Sequence, residues 1–434
     1  MEILHYPSDE AERRIEAVAG RGLFFDPDKT RAVEQILEAV QSRGDEALLE
    51  YTRRFDAPRM GPGDLLVEEE AFDAAEASVD GAFLRALDRA AGQIETFHQR
   101  QLRNSWFQTP RSGVFLGQMV KPVQAAGVYV PGARGGTTPL VSSVLMGAIP
   151  ARIAGVERLV MTTPPREDGS VDPHLLAAAR RVGVDAVYRA GSAWAIAGLA
   201  FGTRSMPRVD VIAGPGNIYV TIAKKLVSGS VGIDMTAGPS EILVVADKSA
   251  DPEFIAADLL SQAEHDPMAS ALLLTDSAAV AEKAARATKR RLADLPRKEV
   301  AEQSLAAYGG IIVVPEMESA VSVANRIAPE HLELLVAEPF AWLGAIQNAG
   351  AVFMGHFTPE PVGDYVAGPN HVLPTGGTAR FSSALSVDTF MKQTSLICYS
   401  RQAMSREAED VIRLAEIEGL GAHAESVRVR SSKG

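Results

Sequence analysis

Five of the eight histidines, His265, His331, His356, His371 and His423, fall in the final 170 residues, and several stand beside carboxylates. Imidazoles among carboxylates suit two chemistries, metal ligation and proton transfer near neutral pH. Gln262 and His265, in Leu-Leu-Ser-Gln-Ala-Glu-His-Asp-Pro, are three apart near an expected helix end. That spacing sets an amide oxygen and an imidazole nitrogen on one face, both usable by zinc, although it equally describes a solvated or capping pair. Asp364 lies in Thr-Pro-Glu-Pro-Val-Gly-Asp-Tyr, a segment stiff enough to hold a carboxylate at fixed geometry, or an Asx turn. Glu330 and His331 follow Pro329; an adjacent acid and base handle two proton transfers if both face one cleft, but in a strand they point apart. His423, in Glu-Ile-Glu-Gly-Leu-Gly-Ala-His-Ala, is a ligand candidate or a helix C-terminal cap.

Two glycine-rich turns follow expected strands and precede helical runs: Tyr129-Val-Pro-Gly-Ala-Arg-Gly-Gly and Gly214-Pro-Gly-Asn217. Each offers backbone N–H groups to an anionic group, yet neither is G-x-G-x-x-G, and a purely structural turn explains both. The single cysteine, Cys398, sits in Leu-Ile-Cys-Tyr, which excludes an internal disulfide and reads as a small buried hydrophobe rather than a nucleophile.

Elements must hold these groups in place. Val33, Ile36, Leu37 and Val40, then Phe83, Leu84, Leu87, Ile94 and Phe97, recur at helical spacing, so the first 110 residues are expected to be helical. From about residue 113 strands alternate with helices, as in βαβ units. Strands are expected at Gly127–Val130, Arg158–Thr163, Val209–Ala213, Glu241–Ala246, Ala271–Thr275, Gly310–Val314 and Ala351–Met354. Helices are expected around 138–154, 192–201, 218–227, 252–264, 277–292 and 317–327. So many strands exceed one mononucleotide-binding half and predict two α/β domains. The last 50 residues return to charged, helix-like sequence.

The 434 residues carry 43 Lys and Arg against 55 Asp and Glu, a net charge of −12, which disfavours a nucleic-acid or anionic-membrane partner. No apolar run approaches the roughly 18 residues of a membrane span, and Met-Glu-Ile-Leu-His-Tyr-Pro does not resemble a targeting segment, so a cytoplasmic location is expected.

Taken together, the segments resemble the histidinol dehydrogenases along nearly the whole chain. The resemblance rests on Gly127-Val-Tyr-Val-Pro-Gly, the segment from Val141 to Gly155, Gly214-Pro-Gly-Asn-Ile-Tyr-Val-Thr, Ala237-Gly-Pro-Ser-Glu and Asp258-Leu-Leu-Ser-Gln-Ala-Glu-His-Asp. It continues through Ile327-Ala-Pro-Glu-His-Leu-Glu, Ala367-Gly-Pro-Asn-His-Val-Leu-Pro-Thr-Gly and Glu418-Gly-Leu-Gly-Ala-His. It implies oxidation of L-histidinol through L-histidinal to L-histidine with two NAD⁺, the last step of histidine biosynthesis. Carried over by motif, Zn²⁺ is bound by Gln262, His265, Asp364 and His423, one ion per subunit, and these four with His331 also touch substrate. Ser240, His371 and Glu418 add substrate contacts, and Glu330 with His331 carries the proton transfers. NAD⁺ lies near Tyr129, Asn217 and Trp194, the last standing where the family usually has Gln.

The implied fold is α/β, two Rossmann-like α/β/α domains with helical N- and C-terminal segments. The boundaries expected are a helical segment 1–27, a discontinuous first domain 28–128 and 243–384 with the metal and catalytic residues, an NAD-binding domain 129–242, and a helical tail 385–434. In the resemblance that tail crosses to the partner, giving a homodimer whose sites are shared. Alternative readings are a paralogous zinc- and NAD-dependent dehydrogenase of another small alcohol, such as a sulfonated propanediol, a zinc hydrolase, and a non-catalytic NAD sensor.

Overall fold

The computed structural model describes residues 1–21, 25–132 and 138–431, so Ala133–Gly136 of the first glycine-rich turn lie outside the described residues. Two parallel sheets and one small antiparallel sheet organise the chain. The first has six strands in the spatial order Ile3–His5, Gly309–Val313, Ser270–Thr275, Glu241–Ala246, His331–Leu335 and Ala351–Met354. The second has five, in the order Ala186–Arg189, Arg158–Thr163, Ala125–Tyr129, Val211–Ala213 and Gly232–Ile233.

Side-chain alternation explains why the central strands read as unbroken apolar runs. In the six-stranded sheet Leu243, Val245, Leu272 and Leu274 face one core, with the helix Met317–Ile327. Ile242, Val244, Ala246, Ala271 and Leu273 face the other, against the helices Pro252–Ala263 and Ala278–Ala293. The five-stranded sheet is sandwiched likewise. Val128, Leu159 and Met161 pack on the helices Val141–Ala154 and Gly81–Gln99, whereas Ala125, Tyr129, Val160 and Ile212 pack on Pro27–Arg43, Asp45–Phe55 and Ser192–Phe201.

Most expected strands and helices occur within a few residues of the positions read from sequence. Ile3–His5, His331–Leu335 and Ala186–Arg189 were not anticipated, and Trp106–Arg111 and Met391–Tyr399 interrupt stretches expected to be helical. The last two pair antiparallel with Val114–Pro122, and the resulting ribbon carries the helices Arg401–Ile417 and Gly421–Ser431. Both cuts expected in the middle of the chain, at 128/129 and 242/243, fall inside strands. The helices at 27–55 pack on the five-stranded sheet, while Ile3–His5 joins the six-stranded one. Among the described residues no helix is long and apolar enough to cross a membrane.

The glycine turn at Gly214 has a structural cause. Its φ is +121°, and a Cβ there would lie 2.1 Å from the Tyr129 carbonyl oxygen, so only glycine lets the two strand ends approach. Lys224 donates to the Gly214 carbonyl at 2.8 Å and pairs with Asp234, whose Oδ2 accepts from the Gly214 N–H at 2.8 Å. Both side chains of this pair are buried, so Lys224→Met leaves a carboxylate without its cation. Urea unfolding is expected to show a loss of about 3–5 kcal/mol; a loss below about 1 kcal/mol, the worth of a surface pair, contradicts the clamp.

Candidate active site

His331–Leu335 and Glu241–Ala246 are parallel neighbours with His331 opposite Ile242, which brings Glu330 alongside Glu241 at the amino edge of the six-stranded sheet. The two glutamates exchange backbone bonds: the Glu241 N–H donates to Glu330 Oε2 at 2.9 Å, and the Glu330 N–H to Glu241 Oε2 at 3.3 Å. His331 Nδ1 donates to the Glu241 carbonyl at 2.9 Å. A nitrogen facing a carbonyl must carry the proton, so Nε2 presents its lone pair.

All three side chains are buried. Burial pushes the Glu330 carboxyl well above the ordinary range, and the neighbouring carboxylates Glu241, Asp364 and Glu360 add to the rise. Burial lowers His331 to about 4 although Asp364 opposes it, so the imidazole is neutral at physiological pH. The ordinary histidine value of about 6.5 does not apply here.

Beyond Nε2 lies an acidic cluster. Glu360 Oε1 is 3.8 Å from His331 Nε2, and the Glu360 N–H donates to the buried Glu333 at 2.8 Å. Burial, then the nearby Asp364, pushes the Glu360 carboxyl to about 8, which leaves it protonated at neutral pH and able to donate to Asp364. Burial also acts to raise Asp364, but hydrogen bonding and the charge of His371 hold it below the ordinary range. Its Oδ1 is 3.5 Å from His371 Nδ1. Glu333 rises well above its usual range through burial and the facing Asp258, itself raised to about 6 by burial.

His331, Glu360 and Asp364 each place a ligand atom within 4.8 Å of the others, so the described residues contain a group able to hold a metal. Of the expected ligands only Asp364 belongs to that group. Two buried polar atoms stand without partners. Gln262 is buried in the last turn of Pro252–Ala263, and its Oε1 has no hydrogen-bond partner; neither has the buried Nε2 of His371. An unpaired buried amide oxygen is costly, and a helix C-terminus favours a positive charge. Gln262 and, just past the helix end, His265 offer oxygen and nitrogen atoms of the kinds zinc takes.

Ser240 directly precedes Glu241, within the same edge. Glu418 and His423 do not join the site within one chain. They are exposed at the junction of the two C-terminal helices, and neither makes a side-chain hydrogen bond or ion pair among the described residues. Cys398 departs from its expected burial: it is exposed on the ribbon strand Met391–Tyr399. Its apolar neighbours do not mark a core position, because this ribbon presents apolar residues outward, Ile397 being 72% exposed.

The cofactor candidates lie on the other sheet. The Tyr129 hydroxyl is buried and accepts from the Ser192 N–H at 3.1 Å, which ties the carboxyl end of its strand to the start of Ser192–Phe201. Asn217 caps Ile218–Val227, its Oδ1 accepting from the Tyr219 and Val220 N–H groups at 3.0 and 3.2 Å. Trp194 needs correcting. Its ring stacks on Tyr51 and Phe55, with centroids 5.9 and 5.5 Å away, and its Nε1 donates to the buried Thr52 hydroxyl at 3.1 Å. The ring is 4% exposed and packs in the core between two helices.

Glu241, Asp258, Glu333 and Glu360 were missed as site residues. The signal for three was a lone acid in an apolar run, as in Glu241-Ile-Leu-Val-Val-Ala and His331-Leu-Glu-Leu-Leu, where a buried charge demands partners.

Comparison with known proteins gives the family. The family description "Histidinol dehydrogenase" matches residues 25–431. The chain belongs to the histidinol dehydrogenase family. It is 53% identical over 423 residues to the histidinol dehydrogenase of Desulfotalea psychrophila, covering 98% of each chain. It is 54% identical over 418 residues to that of Nitratidesulfovibrio vulgaris, covering 96% of this chain and 95% of the relative. The crystal structure of histidinol dehydrogenase from Elizabethkingia anophelis superposes with a TM-score of 0.92 at 36% identity, over 99% of this chain and 98% of the other. Within this histidinol dehydrogenase fold Trp194 is a packing residue, so Trp194→Ala is expected to destabilise by about 3–5 kcal/mol in urea unfolding. A raised KM for NAD⁺ with unchanged stability would return Trp194 to the cofactor site.

Proposed function

We propose that the chain catalyses the zinc-dependent oxidation of L-histidinol through L-histidinal to L-histidine with two NAD⁺, the last step of histidine biosynthesis. The observation supporting this reading is the neutral His331, locked by the Glu241 carbonyl, beside Glu330 and with a ligand atom within 4.8 Å of Glu360 and Asp364. Gln262, His265 and Asp364 would hold the metal, which when bound supplies a positive charge that orients the substrate's imidazole and amine. NAD⁺ accepts the hydride; a site for it where the order of the five-stranded sheet reverses, between Ala125–Tyr129 and Val211–Ala213, follows the general rule for open α/β sheets. Tyr129 and Asn217 flank that crevice.

His331 Nε2 takes the hydroxyl proton as the carbinol carbon loses hydride. Oε2 of Glu330 is tied to the Glu241 N–H, whereas Oε1 makes no hydrogen bond among the described residues and is available to a water. In its ionised form Glu330 removes a proton as that water adds to the aldehyde carbon, and burial makes it hold that proton more tightly than an exposed glutamate would. The hydrated aldehyde then loses its second hydride, with His331 again accepting a proton. No thiol takes part.

A homodimer that completes each site with the partner's residues belongs to the same reading. Glu418 and His423 are exposed on an arm that also exposes Leu414 by 63% and Ile417 by 69%, apolar surface that a second copy would cover. A symmetric pair closes such an exchange. A cytoplasmic location, histidinol as the substrate rather than a related alcohol, and the five-stranded unit as the NAD-binding domain complete the proposal.

Three outcomes follow. Complete turnover, followed at 340 nm, should yield two NADH per histidinol; one NADH would indicate a simple alcohol dehydrogenase, and none a hydrolase or a sensor. His331→Asn should slow both oxidations in single-turnover experiments, whereas Glu330→Gln should slow mainly that of histidinal, and equal losses would refute the division of roles. Mixed His423→Ala and His331→Asn proteins should regain activity after subunit exchange, because one site of each heterodimer is intact. No recovery after demonstrated exchange would place His423 in its own chain's site.

A further inference from the structure

We propose that Arg21 and Glu241 are a positioning pair for this reaction: Arg21, from the N-terminal segment, fixes the carboxylate and loops that aim Glu330 and His331. The inference rests on Glu330 and His331 being the acting groups. Neither Arg21 nor Glu241 is assigned a contact with substrate, metal or cofactor.

The geometry is that of a cross-brace. Arg21 Nη2 donates to Glu241 Oε1 at 2.9 Å, and both side chains are more than nine-tenths buried. The same nitrogen is 3.4 Å from the Pro239 carbonyl, next to Ser240, and Nη1 donates to the Met268 carbonyl at 2.6 Å, three residues past His265. The guanidinium also lies over the Tyr308 ring, 4.9 Å from its centroid. One planar cation therefore joins the loop of a proposed metal ligand, the loop of a proposed substrate contact, and the carboxylate behind the acid–base pair. Lysine has no such fork.

Glu241 passes that constraint on. Its Oε1 also accepts from the Gly376 N–H at 3.2 Å and its Oε2 from the Glu330 N–H, while its own amide and carbonyl hold Glu330 and His331. Without Arg21 this carboxylate is a buried charge with no cation, and it relaxes by taking a proton or turning away. Either change loosens the Glu330 amide. Stability alone does not explain the pair, since apolar residues of similar volume replace buried ion pairs at little or no cost.

The test uses the full-length, zinc-loaded protein. Arg21→Met should lower the melting temperature yet stay folded and zinc-loaded at the assay temperature, and lose about 100-fold in kcat, the effect of roughly 1 Å of misplacement, with KM for NAD⁺ unchanged. Arg21→Lys should show a smaller loss, and added guanidinium ion should restore part of the Arg21→Met activity. In a Glu330→Gln background, Arg21→Met should cost less in single-turnover oxidation of histidinal than it does alone, because both changes act through one carboxylate. Unchanged kcat in folded, zinc-loaded Arg21→Met, or equal losses in the two backgrounds, would overturn the proposal. If Arg21→Met does not fold, Arg21→Lys decides, and wild-type kcat overturns the pair. Impairment by Glu330→Gln with neither Arg21 variant affected defeats the positioning pair alone. No impairment by Glu330→Gln defeats the acid–base assignment and the pair with it.

Discussion

Two carboxylates meet at the start of two neighbouring strands, Glu241 and Glu330, almost without water. An ionised pair so placed repels, so each must borrow hydrogen bonds from whatever lies within reach. The parallel register supplies them reciprocally, amide to carboxylate in both directions. His331 inherits the result. Its Nδ1 has one acceptor, the Glu241 carbonyl, and its neutral form follows from the burial that made the arrangement necessary.

The same burial extends through Glu360, Glu333 and Asp258, where carboxyls rise above their ordinary range, Glu360 far enough to hold its proton at neutral pH. Asp364 is held below it, which favours negative charge at the acid that faces His371. A protonated shelf behind one ionised carboxylate lets a cation sit on the open side without wholesale repulsion between the acids. The Gln262 oxygen and the His371 nitrogen are buried without partners among the described residues.

Much of this was legible in the sequence because the strands are buried on both faces. Arg158–Thr163, Glu241–Ala246 and Ala351–Met354 stand where the apolar runs placed them, since helices cover both sides of each sheet. Gln262, Asp364, Glu330 and His331 were found as motifs. What escaped was set by tertiary contact. Met391–Tyr399 pairs with a strand far away in sequence, so local pattern gave helix and made Cys398 look internal. Trp194 stands where the family motif suggested cofactor, but its side chain follows the aromatic pair Tyr51 and Phe55, four residues apart on another helix. Glu241 was read only as part of a matching segment; a lone acid in its apolar run marks a buried charge, but its partners Arg21 and Glu330 come from tertiary contact, which no local pattern displays.

The account depends most directly on which ring nitrogen of His331 carries the proton. Long-range ¹H–¹⁵N correlation on protein labelled at histidine, with His331→Asn used to assign the signal, reports that tautomer near neutral pH. The structure predicts a neutral ring protonated at Nδ1 with an unprotonated Nε2. A ring protonated at Nε2, or an imidazolium, would mean that the Glu241 carbonyl does not hold His331 as described and that Nε2 is not the base.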